Sequence, residues 1–132
     1  MIYKTHVSKY RKLLDKYWIY RITVHLNKDC IGDCLVLPYH HHEYAIIDHV
    51  EIGKGYRHNG AGKELIEAAE RFIITKNLNL IYLPGTEKDA RKFWAKLGYQ
   101  STNTKIENVH QIYGDNTLDQ CYGWHWYKKL RR

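Results

Sequence analysis

Arg57-His58-Asn59-Gly60-Ala61-Gly62 lies between an apolar, strand-like run and an amphipathic helix. An arginine, a gap of two, then Gly-x-Gly at a helix start builds a place to hold phosphate. The glycines let backbone N–H groups come close to an anion, and the helix N-terminus adds partial positive charge. Two glycines there weaken the helix by about 1 kcal/mol each, so the pattern calls for some gain in return. Upstream, Tyr44 to Ile52 reads as a strand, and Gly53-Lys54-Gly55-Tyr56 as a flexible lead-in. Downstream, Leu65, Ile66, Ala69, Phe72 and Ile73 form one apolar stripe, with Lys63, Glu64, Glu67, Glu70 and Arg71 on the other side. Lys76 to Asn79 ends the helix, and Leu80-Ile81-Tyr82-Leu83 is a short apolar strand stopped by Pro84-Gly85. Strand, crossover helix, strand predicts a parallel pair with a right-handed connection.

Working outward, a second helix starts after Thr86, a good N-cap with Asp89 three residues on. Ala90, Phe93, Trp94 and Leu97 make its buried stripe, and Gly98 suits the position after its end. Tyr99 to Glu107 and Gln120 to Leu130 read as strands around a polar loop at Gly114-Asp115-Asn116. Toward the N-terminus, Val7, Tyr10, Leu13, Leu14 and Tyr17 fit helical spacing over 7–17. Tyr20 to Leu26 alternates and is rich in β-branched and aromatic residues, as a strand requires. Asn27-Lys28-Asp29 is a turn, Cys30 to Leu37 a strand broken at Gly32-Asp33, and Pro38 to Glu43 a histidine-rich connection.

Two common phosphate motifs fail here. The P-loop needs Ser or Thr after Gly-Lys, but Glu64 follows Gly62-Lys63. The dinucleotide fingerprint needs a third glycine, which neither Gly53-Lys54-Gly55 nor Gly60-Ala61-Gly62 has at the right distance. Arg/Gln-x-x-Gly-x-Gly/Ala after a strand and opening a helix resembles the GCN5-related N-acetyltransferases. Ala90-Arg91-Lys92-Phe93-Trp94-Ala95-Lys96-Leu97-Gly98-Tyr99 is similar to that family's later Ala-x-x-Phe-Tyr…Leu-Gly-Phe/Tyr element. The resemblance covers residues 44–99, and the flanks only by strand order.

The resemblance implies a mixed α/β fold in a single domain over residues 1–132. It has a central, mostly antiparallel sheet with one parallel pair splayed around the cofactor, and helices on both faces. It implies acetyl-CoA as co-substrate. Arg57, His58, Asn59, Gly60, Ala61, Gly62 and Lys63 would hold its diphosphate. Val50, Glu51 and Ile52 would bind the pantetheine arm like an added strand, and Trp94 would also contact the cofactor. It also implies direct acyl transfer to an amine, small molecule or peptide, deprotonated by a general base. On the strand before the loop, alternation puts Asp48 on one face with Ile46 and Val50, and His49 with Glu51 on the other. Asp48 is the first candidate for the base and Glu51 the second. Where many family members carry a tyrosine as proton donor this chain has Trp94, whose indole N–H has no useful acidity. Tyr99 and Tyr82 are the substitutes, Tyr99 the first of them.

With 132 residues and 44% hydrophobic content, the chain can build one core. No run of about 18 apolar residues is present, and the first residues lack the apolar stretch of a signal peptide, so a cytoplasmic protein is expected. Cys30, Cys34 and Cys121 are an odd count, which argues against a disulfide framework. His40-His41-His42 point alternately to opposite faces if extended, and Cys30 and Cys34 lack zinc-knuckle spacing, so no metal is expected. Net charge is +7, which favours anionic ligands but is spread along the chain as on a solvated surface. That charge motivates the alternatives: a module binding nucleic acid, the weaker of the two, or an acidic protein. A CoA-binding protein without turnover is a third reading, which Trp94 permits. Trp124 and Trp126 alternate onto one face, which suggests a homodimer through the C-terminal strands.

Overall fold

The computed structural model describes residues 2–13, 15–40, 43–83, 88–102 and 125–131. Strands β1 (Tyr3–Leu13), β2 (Tyr17–Leu26), β3 (Asp29–Tyr39) and β4 (Tyr44–Ile52) form an antiparallel meander. Helix α1 (Ala61–Thr75) leads to β5 (Leu80–Leu83), which pairs parallel to β4. A short 3-10 turn and helix α2 (Arg91–Lys96) lead to β6 (Gln100–Thr102), and β7 (His125–Lys129) closes the sheet. The seven strands lie in the order β1-β2-β3-β4-β5-β7-β6. This is the mostly antiparallel sheet with one parallel pair that the sequence predicts.

The N-terminal segment is a correction. Residues 3–13 form a strand where the spacing of Val7, Tyr10, Leu13, Leu14 and Tyr17 predicts a helix. The register of β1 against β2 shifts between Lys9 and Arg11, which adds one residue to β1. A bulge shifts side-chain parity by one. Two half-strands of opposite parity then mimic the helical interval. Smaller differences lie at β3, which runs on through Pro38 to Tyr39. Thr86, His41, His42, Pro84, Gly85, the loop at Gly114-Asp115-Asn116, Cys121, Trp124 and the predicted strand ends around them fall outside the described residues.

Helix α1 lays Leu65, Ile66, Ala69 and Ile73 on Ile22, Val24, Val36, Ala45 and Ile47 of the sheet, all essentially fully buried. Each of the leucine, isoleucine and valine side chains among them contributes about 1.5–3 kcal/mol relative to exposure. The expectation of helices on both faces holds for one. Among the described residues α2 lies on the same side as α1, since Trp94, Phe93 and Leu97 join the same cluster. The reason is topological. The connections β4-α1-β5 and β5-α2-β6 each join parallel strands and step the same way across the sheet, so two right-handed crossovers put both helices on one side. The opposite face carries a second cluster, with Ile19, Leu37, Tyr39, Tyr44 and Ile46 at its centre. Tyr82 also packs there, 5.1 Å from Tyr44 between ring centres. Strand β7 is internal to the sheet and Trp126 is buried in the chain's own core, not presented to a second copy.

Candidate active site

Parallel pairing of β4 with β5 is confined to Ala45 with Ile81 and Ile46 with Tyr82. Past Ile46 the strands part. On its other side β4 stays paired to β3 as far as Ile52 opposite Gly32, so it is the edge toward β5 that is left open. The gap opens at the C-terminal end of a parallel pair, where open α/β sheets bind ligands.

At that end the chain turns into the loop at 57–60 and then α1. His58 has φ 67° and Gly60 φ 87°, two left-handed residues flanking Asn59. Alternation of this kind turns successive N–H groups to one side as an anion-binding concavity. The first backbone bond of α1 is Glu64 N–H to Gly60 carbonyl, at 3.1 Å, and no side chain caps the helix. Among the described residues the amides of His58 to Lys63 donate no backbone hydrogen bond. Residues 57–60 are exposed, Ala61 is buried and Gly62 half-buried. A side chain at Gly60 would meet no atom within 4 Å, so the space over that turn is open. Arg57 donates from Nε to the Ile52 carbonyl at 2.9 Å, which ties the loop to the strand end. Tyr3 donates to the Asn59 carbonyl at 2.6 Å and holds the loop from β1. Sequence reading missed Tyr3, since it placed no strand at the N-terminus.

The polar residues of β4 are rearranged by a bulge. Leu35 pairs with Asp48 and Asp33 with Glu51, so three steps on β4 face two on β3, and His49 has φ 53°. Beyond it Val50 and Ile52 pack into the core beneath α1. Strict alternation groups Asp48 with Val50. The bulge corrects this: Asp48 sits on the face away from α1 with Ile46 and Leu35, while Val50 returns to the helix side. Asp48 is half-buried, and its Oδ1 accepts the His49 amide at 2.8 Å. Glu51 is exposed, with Oε2 3.8 Å from His49 Nε2. Asp33 stands across from Glu51, held by Arg21 Nε at 2.9 Å. The ligand atoms of Asp33, His49 and Glu51 lie within 4.8 Å of one another, a grouping the sequence did not suggest.

Trp94 and Tyr99 stand apart from these carboxylates, on the helix side. Trp94 is buried edge-on between Phe93 and Tyr99, at 5.1 and 5.0 Å between ring centres. The Tyr99 hydroxyl donates to Glu70 Oε2 at 2.8 Å, and Lys128 Nζ meets the same carboxylate at 3.1 Å. Burial first, and then the Glu70 carboxylate, push the Tyr99 hydroxyl far above its ordinary range. It is a poor acid committed to a partner inside the core.

The parallel pair thus parts beside a helix start whose first amides donate no backbone hydrogen bond among the described residues. The model of the acetyltransferase (GNAT) family matches residues 4–99, and the chain belongs to that family. Among solved structures, a GNAT-family acetyltransferase from Staphylococcus aureus superposes with a TM-score of 0.66 at 17% identity, over 86% of this chain and 68% of that one. Tetrahymena GCN5 gives 0.69 at 14% identity, over 86% and 69%. The PaiA N-acetyltransferase of Thermoplasma acidophilum, solved with coenzyme A, gives 0.66 at 16% identity, over 85% and 61%. These likenesses are of fold. No curated protein sequence matches the chain significantly.

Proposed function

We propose that the chain is an N-acetyltransferase that moves the acetyl group of acetyl-CoA directly to a primary amine of a small molecule or peptide. The observation that carries this reading is the row of amides at 58–63, which donate no backbone hydrogen bond among the described residues, beside the open edge of β4. Acetyl-CoA supplies the activated thioester. The amides from His58 to Lys63, with Arg57 and the positive end of α1, hold the diphosphate. The β4 backbone at Val50 to Ile52 receives the pantetheine arm as an added strand.

Asp48 and Glu51 lie on the face away from α1, so an amine arriving from that side meets carboxylates before it meets the thioester. An ammonium ion is held there by charge and gives up its proton to a carboxylate, directly or through water. Asp48 is the better placed of the two, being half-buried and fixed by the His49 amide. Tyr99 has no part in this scheme, since its proton is bound to Glu70 within the core. A thiol with pKa near about 8.5 departs without a dedicated acid, so Trp94 is no obstacle.

Thiol release from acetyl-CoA, followed with a panel of amines and confirmed by the added mass of the product, tests the reading. Acetylated product with at least one amine class is expected, and lost or reduced in Asp48→Asn. A protein whose melting temperature acetyl-CoA raises, yet which releases no thiol with any amine, refutes transfer and leaves a binding protein.

A further inference from the structure

We propose a second anion site, apart from the cofactor loop, that takes a small phosphate monoester. It is a cavity of about 390 Å³ between the second half of α1 and the end of β7. Glu67, Glu70, Arg71 and Ile74 line it from the helix, and Lys128 to Arg131 line it from the strand. Ligand cavities of small molecules begin at about this size, roughly 300 Å³.

Charge decides what fits. Both carboxylates are already engaged. Glu70 Oε1 is 3.1 Å from Lys128 Nζ, and Glu67 Oε1 is 3.7 Å from Lys63 Nζ. Lys128 also donates to the Leu97 carbonyl at 2.7 Å. Three cations on the rim, Arg71, Lys129 and Arg131, are exposed and are left with no carboxylate among the described residues. Two of them are arginines, whose planar forks match the paired oxygens of phosphate. Ile74 and Leu130 add an apolar wall, and Leu130 is anchored by its amide to the Asn79 carbonyl at 2.5 Å. A cationic rim over an apolar wall suits an anion with a planar or apolar body. The site lies along α1 past Glu67, whereas the cofactor loop ends at its first turn.

The test uses AMP, with inorganic phosphate as the bare-anion arm, titrated calorimetrically into protein saturated with CoA. We expect one saturable AMP site per chain with a dissociation constant below about 1 mM. Arg71→Ala and Lys129→Ala each weaken it about tenfold, the loss of one charge-assisted bond. Arg57→Ala leaves it unchanged, and none of the cavity variants alters CoA affinity. Arg131→Ala, at the exposed chain end, repeats the measurement should Arg71→Ala unfold. Phosphate alone binding as tightly as AMP keeps the anion site and removes the apolar wall from recognition. Absence of saturable AMP binding up to about 10 mM overturns the proposal. So does binding that Arg57→Ala abolishes and the cavity variants spare, because the anion then sits on the cofactor loop.

Discussion

Replacing Gly60 separates two roles that one residue holds. Its φ of 87° is left-handed, and a side chain there would meet nothing within 4 Å. The cost of Gly60→Ala therefore comes from backbone strain alone, with no clash to add. A left-handed L-residue costs about 1–2 kcal/mol. Restricting the unfolded chain gives back about 0.4–1 kcal/mol. The net loss is about 1 kcal/mol, or roughly 3–5 °C in melting temperature for a domain of this size. Asparagine tolerates the left-handed region, so Gly60→Asn recovers most of that loss.

Affinity for CoA follows a different rule. On the proposed reading the open space over Gly60 is where the diphosphate approaches the amides, and both substitutions put a Cβ into it. Both variants then lose about tenfold or more in CoA affinity, about 1.4 kcal/mol. Thermal unfolding with and without CoA, and calorimetric titration, read the two quantities separately. Gly60→Asn as unstable as Gly60→Ala refutes the strain argument. Gly60→Ala binding CoA as tightly as the parent chain refutes the cradle.

Three further outcomes are expected. Gly32→Ala would place a Cβ 2.7 Å from the Glu51 carbonyl and 2.5 Å from Ile52 Cδ1, where β3 hugs the end of β4; denaturant titration should show a loss of about 2–3 kcal/mol. Tyr99→Phe removes a hydrogen bond to the Glu70 carboxylate, and should lower stability by about 1.5–3 kcal/mol while kcat stays within about twofold of the parent; a large fall in kcat with stability intact would restore Tyr99 as the proton donor. Burial pushes both the Cys34 thiol and the Tyr99 hydroxyl upward. The unfolded chain therefore releases these protons first, so stability is complete below about pH 9 and declines above it, by at most about 1.4 kcal/mol per pH unit for each group. Urea titrations across that range should show a shallower decline between about pH 9 and 10 for Cys34→Ala, and an equal decline would refute the assignment.

Sequence carried the centre of the fold well because several local signals agree there. The span Tyr44–Ile52, the left-handed Gly60 opening α1 and the strand Leu80–Leu83 all stand where pattern placed them. Gly98, with φ 92°, ends α2 as its position suggested. Two of the misreadings share one physical cause, the bulge. Periodicity assumes that each residue advances the strand by one step. In β1 an extra residue at Tyr10 turned a strand into an apparent helix. In β4 an extra residue at His49 put Val50 on the wrong face. The Tyr99–Glu70–Lys128 network joins residues 29 and 58 positions apart, and no local pattern reports such partners.

The bulge at His49 also explains how one strand can serve two faces. Ahead of it, Ala45 and Ile47 point to α1; after it, Val50 and Ile52 do. Were His49 to take an ordinary place in the pleat, strict alternation would carry Val50 and Ile52 to the far face and turn Glu51 into the apolar layer under α1. Deleting His49 removes the extra residue, so the ladder runs unbroken from Leu35–Asp48 to Asp33–Glu51 and every flanking side chain keeps its face. The deletion variant should therefore fold by circular dichroism, with Val50 and Ile52 still beneath α1. His49→Gly keeps the residue count and relieves a φ of 53°, so it should fold and gain about 0.5–1 kcal/mol. Loss of folding in both variants would point to the imidazole, not the bulge. A deletion variant that unfolds while His49→Gly folds would mean that the core needs the bend at the bulge itself, not only the facing of Val50 and Ile52.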